Sequence, residues 1–67
     1  MKPLCELRFG LEEVTGELLA YPSSDLHVVV WRDGAWSVYD GIFGDWLDST
    51  PITESEAMRL TSGVMPT

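Results

Sequence analysis

The chain has 67 residues and a formal net charge of -7, from eleven acidic side chains against four basic ones. That length leaves room for one small domain, the charge repels phosphate backbones and anionic membranes, and a single cysteine excludes an internal disulfide. One His27 beside one Cys5 also falls short of the four ligands of a structural zinc site, so packing or association must stabilise a fold that hides only about 60% of its unfolded surface.

Hydrophobic residues make up 45% of the chain and aromatics 10%, a composition that folds. The longest apolar run, Val28-Val29-Val30-Trp31, is far short of the ~20 residues of a membrane span. Glu6 and Arg8 interrupt the stretch where a secretory signal needs continuous apolar residues, and the lone thiol suits a reducing compartment. A cytoplasmic protein is expected. With no Asn and no Gln, it has no N-glycosylation site and none of the amide side chains often used to read bases.

In chain order, Cys5, Leu7 and Phe9 alternate with Glu6 and Arg8, the pattern of a strand entering a sheet, with Cys5 as a small buried hydrophobe. Residues 11–21 admit two readings. Leu11, Val14, Leu18 and Tyr21 suit one face of a helix that Gly16 weakens, whereas residues 17–21 suit a strand pairing with residues 26–31 across Pro22-Ser23-Ser24-Asp25.

A β-hairpin is expected over about residues 26–39, because Asp33-Gly34 supplies the two positive-φ positions of a type I′ turn. A two-residue turn sets Arg32 against Ala35, Trp31 against Trp36, Val30 against Ser37, Val29 against Val38, Val28 against Tyr39 and His27 against Asp40. One face, carrying Trp31, Trp36, Val29 and Val38, is the candidate core. The other, with Val28, Val30, Tyr39, Ser37 and Arg32, is mixed, suited to half-coverage by a helix or another chain.

Residues 40–48, Asp-Gly-Ile-Phe-Gly-Asp-Trp-Leu-Asp, place bulky apolar side chains among glycines and acids. They read either as a contact surface anchored by Phe43 and Trp46 or as a short extra strand over residues 43–47 that covers the core. Pro51 makes Thr50 extended. Thr53-Glu54-Ser55-Glu56 matches a capping box and predicts a helix over about residues 54–61, with Ala57, Met58 and Leu60 toward the core, Arg59 near the negative end and a stop at Gly63. The fold class expected is α+β, a small antiparallel sheet built on the Trp-rich hairpin.

No catalytic set emerges. His27 opposite Asp40 makes a cross-strand polar pair rather than a base, and none of the serines sits in a nucleophile elbow. The aspartates of residues 40–48 lack calcium-loop spacing, and Gly41-Ile42-Phe43-Gly44, although a GXXG pattern, is flanked by Asp40 and Asp45 with no cation to clamp a phosphate. No enzyme, metal or cofactor is expected. The candidate partner-binding residues are Asp40, Phe43, Asp45, Trp46 and Asp48, with the acids Glu12, Glu13 and Glu17. Glu54 and Glu56 complete a negative coat whose spatial arrangement sequence alone leaves open.

Trp31-Arg32-Asp33-Gly34-Ala35-Trp36, the segment from Asp40 to Asp48 and the overall charge together resemble small phage-borne inhibitors of the anti-CRISPR type. The resemblance is one of type, covers about a third of the chain and carries no shared motif. It implies that an acidic surface occupies a basic, nucleic-acid-binding surface of a host protein or complex, with no direct contact to nucleic acid or membrane. Two alternatives use the same residues: a structural or assembly subunit forming a homodimer or larger homo-oligomer, and an antitoxin-like neutraliser.

Overall fold

The computed structural model describes residues 7–22 and 26–66. The elements run β1 (Arg8–Leu11), β2 (Leu18–Tyr21), β3 (Val29–Arg32), β4 (Ala35–Val38), α1 (Phe43–Leu47), β5 (Thr50–Ile52) and α2 (Glu54–Thr61). The five strands form one antiparallel sheet in the order β4-β3-β2-β1-β5, an α+β arrangement as expected. Cys5 and the residues from Ser23 to Asp25 lie outside the described residues.

The hairpin has the register that its turn dictates, with Val29↔Val38, Val30↔Ser37, Trp31↔Trp36 and Arg32↔Ala35, and the Tyr39 N–H donates to Val28 O at 2.8 Å. Asp33 (φ 54°) and Gly34 (φ 78°) both take the left-handed backbone of a type I′ turn. Trp31 and Trp36 meet edge to face, their centroids 5.4 Å apart. Val38, expected in the core, is 62% exposed. The correction follows from topology: β4 is the outer strand, whereas α2 packs over β1, three positions across the sheet.

Residues 11–21 are not a helix. Leu18–Tyr21 pairs with β1 on one side and β3 on the other, the strand alternative. Gly16, at φ 74°, belongs to the β1–β2 turn, where Gly16 N–H donates to Glu12 O and Glu12 N–H donates to Glu17 O, each at 2.8 Å. Val14, expected on a buried helix face, stands on this turn 88% exposed. The deciding factor is the run Leu18-Leu19-Ala20: all three are buried, as suits a strand covered on both faces.

The helix α2 occupies Glu54–Thr61, and the Thr53 hydroxyl accepts from Glu56 N–H at 3.2 Å. The Glu56 carboxylate lies 3.9 Å from Arg59. The buried side chains are Ala57 and Thr61, four apart, not Met58 (41% exposed) and Leu60 (56% exposed). A narrow helix on a small sheet seats one stripe only, and Met58 and Leu60 flank it. The buried Thr61 hydroxyl is satisfied by Ala57 O at 3.0 Å. At the C-terminus Ser62 (φ 55°) takes the left-handed conformation one residue before Gly63, whose N–H returns to Met58 O in a Schellman closure.

Alternation along the strands divides the core into two layers. Phe9, Leu18, Ala20 and Val29 face α2, where Ala57 joins them and Trp31, Trp36 and Ile52 pack alongside. Leu19, Val28 and Val30 face the other way, packed against by Tyr21, Tyr39 and Trp46. Phe43–Leu47 is therefore a helix on the second face, not the short strand that is one of its two readings. In a strand Phe43, Asp45 and Leu47 would share a face opposite Trp46, whereas the helix puts Phe43 and Trp46 one turn apart, both on the Tyr21 ring at 5.1 and 5.9 Å. The chain leaving α1 crosses β1 so closely that a Cβ on Gly10 would land on the Ser49 hydroxyl.

Two substitutions test this account by thermal melting. Thr53→Ala should lose about 0.5 to 2 kcal/mol and Thr53→Asp almost nothing; an alanine variant melting with the wild type would refute the cap. Gly10→Ala, which drives a methyl into Ser49, should cost about 1 to 3 kcal/mol, and an unchanged melt would show that the α1–β5 connection does not cross there.

Candidate functional site

Side chains of odd-numbered positions on β2 and even-numbered positions on β3 point to the α1 face, so Glu17, at the entry to β2, and Arg32, at the end of β3, meet there across adjacent strands. The guanidinium grips Glu17 in a fork, Nε to Oε2 and Nη2 to Oε1 at 3.1 Å, and Nη2 also donates to Asp40 Oδ1 at 3.3 Å. Hydrogen bonding to Arg32 holds both carboxyls below their usual range, and the two acids in turn push Arg32 upward. For Glu17 and Asp40 the stabilising contribution is present above the ordinary carboxylate range and is lost as pH falls through their depressed values.

Tyr39 brings in a third carboxylate. Its hydroxyl donates to Asp45 Oδ2 at 2.7 Å, tying α1 to the strand pair, and its ring lies so close to Gly41 that a Cβ there would come within 2.5 Å of it. The hydrogen bond to Asp45, with burial and the negative charges of Asp45, Glu12 and Glu17, raises the phenol to about 12. Glu12 reaches this neighbourhood from the β1–β2 turn, where Oε1 accepts from Val14 N–H at 2.9 Å and Thr15 N–H at 2.7 Å.

Of the residues singled out from sequence, Glu12, Glu17, Asp40 and Asp45 thus gather around Arg32 and Tyr39, while Glu13 and Asp48 are exposed beside them in sequence. Trp46 is a half-buried core residue. Phe43 is 47% exposed and, with exposed Ile42 and Leu47, leaves an apolar strip along α1. Between this strip and the end of the hairpin lies an open cleft of about 200 Å³, lined among others by Tyr21, His27, Tyr39 and Phe43. Sequence reasoning missed Arg32, Tyr39 and Tyr21 as organisers, although the hairpin register had already placed Arg32 and Tyr39 on one face.

The arrangement offers carboxylate acceptors beside exposed aliphatic and aromatic surface, which is chemistry for holding a cationic group with an apolar stem. Among the described residues no group of three or more His, Cys, Asp or Glu side chains is placed to hold a metal ion, and no helix is long and apolar enough to cross a membrane. Compared with family models, with curated proteins and with solved structures, the chain matches none.

Tyr39 supplies a pH test. Its neutral form is favoured in the folded state, so this contribution is complete below the ordinary value of 10 and disappears as pH rises through about 12. Phenolate absorbance should show one tyrosine titrating near 12, and Asp45→Asn should bring it down toward 10. A titration unmoved by Asp45→Asn would mean that burial, not the carboxylate, holds the proton.

Proposed function

We propose that the chain is an acidic protein-binding inhibitor that occludes a basic, nucleic-acid-binding surface of a host protein or complex, an action of the anti-CRISPR type exercised in the host cytoplasm. The observation that carries this reading is the gathering of four carboxylates, from Glu12, Glu17, Asp40 and Asp45, around Arg32 and Tyr39, with the Tyr39–Asp45 hydrogen bond linking them to α1, whose side chains Phe43 and Leu47 are exposed together with the preceding Ile42. Lysine and arginine stems of a nucleic-acid channel complement such a surface, their methylenes on the apolar strip and their heads on the acids. The net charge of -7 favours encounter with a basic partner from a distance.

Packing separates two contributions. Trp46 belongs to the core, whereas Phe43 is half exposed although it also packs on Tyr21, and Asp40 and Asp48 are exposed, Asp40 with a 3.3 Å contact to Arg32, so each variant is first checked for the circular dichroism of the fold. With immobilised protein and host lysate, a nucleic-acid-binding partner should be captured at about 0.05 M salt, released at about 0.5 M, and displaced by heparin as a mimic of its own ligand. For the partner so identified, Asp40→Lys with Asp48→Lys should slow association and flatten its salt dependence, while Phe43→Ala should chiefly speed dissociation, about tenfold or more. Capture that is insensitive to both salt and heparin would overturn the proposal.

A further inference from the structure

The two edges of the sheet differ. At one, β5 carries Pro51. Glu12 N–H donates to Glu17 O, so by alternation Gly10 turns its backbone groups toward β2; its partner Pro51 then directs its nitrogen off the sheet, where it has no proton to offer another strand. At the other, β4 is Ala35-Trp36-Ser37-Val38, with no proline and no charge among its four residues. Arg32↔Ala35 and Val30↔Ser37 are the hydrogen-bonded pairs of the two-residue hairpin, so Trp36 and Val38 aim their N–H and C=O groups outward. No backbone partner is found for them among the described residues.

We propose that β4 is a self-pairing edge, through which a second copy of this chain adds antiparallel about a twofold axis at Ser37. Three features select this occupant and this register. Trp36 opposite Val38 of the second copy, and Val38 opposite its Trp36, is the one arrangement that uses all four outward groups of each strand within the four residues of β4. It is self-complementary, as a twofold interface must be. It also lays the half-buried Trp36 side chain beside the copy's Val38, the one residue of the hairpin's core face that the monomer leaves exposed, at 62%. Trp36 is already fixed for this, since its indole N–H donates to Val64 O at 2.9 Å and sets Val64, itself exposed, next to the ring. The side chain on the axis, Ser37, is small and exposed, and in a non-hydrogen-bonded pair it meets its equivalent at close range without a clash. The result is a continuous sheet in which both remaining edges are the Pro51-bearing β5 strands.

This association does not depend on the acidic surface, and salt separates the two. Each copy carries -7, so screening should strengthen the dimer while it weakens binding to a basic partner. Sedimentation equilibrium from about 10 μM to 1 mM, at about 0.05 and 0.5 M salt, should show a monomer–dimer equilibrium that shifts toward dimer at the higher salt. Hydrogen exchange on the wild type should show the Trp36 and Val38 amides becoming protected as concentration rises. Val38→Lys, which places a charge on the edge, should raise the dimer dissociation constant about tenfold or more with the circular dichroism of the fold retained. A protein that stays monomeric at about 1 mM in high salt overturns the proposal. So does a dimer in which the Trp36 and Val38 amides exchange at the monomer rate, and this readout decides the matter if Val38→Lys fails to fold.

Discussion

Leu19 and Ala20 point to opposite faces of β2, and neither retains any contact with solvent. A sheet of five short strands has two apolar faces to hide, and 67 residues must supply both covers. The chain meets this by spending one helix on each side: α2 seats Ala57 and Thr61 over the layer of Phe9, Leu18, Ala20 and Val29, and the five residues of α1 bring Trp46 over Leu19, Val28 and Val30. Close approach follows from scarcity. Glycine at position 10 lets the chain pass within contact of β1, and alanine at 57 lets α2 lie low on the sheet.

Because α1 is so short, it is held less by its own hydrogen bonds than by what it touches. The Tyr21 ring receives both Phe43 and Trp46, and the Tyr39 hydroxyl takes Asp45 from the other side. These attachments also set the electrostatics. Arg32, one of four cations, is committed to Glu17 and Asp40, leaving a negative surface with fixed rather than diffuse carboxylates. Acids that hold the fold and acids proposed to hold a partner are thus partly the same groups, which couples the shape of the surface to its protonation.

The proposed contacts with other chains use opposite properties of the molecule. The α1 side is charged and apolar at once and suits a basic partner. The β4 edge is neutral and presents backbone groups, and suits a strand. A dimer formed through β4 would carry two acidic surfaces, a geometry in which binding to a repeated basic partner would gain from multivalency.

Where local chemistry decides conformation, the amino-acid sequence was sufficient. Asp33-Gly34 permits one turn type and hence one register, and Thr53 begins α2 at the residue expected, because each acts through backbone groups only a few positions away. Of the candidate surface, the acids and Phe43 were legible as residue types, and Trp46 was visible as either core or anchor. Tertiary structure alone decided the rest. Residues 11–21 fit a helical spacing and residues 17–21 also a strand, and Leu18–Tyr21 became β2 because β1 and β3 were both available to pair. Phe43–Leu47 became a helix because only a helical turn brings two aromatic rings onto Tyr21 from the same side. Which acids meet was set by strand order, since Glu17 reaches Arg32 only once β2 lies beside β3, and periodicity along one strand carries no information about its neighbour.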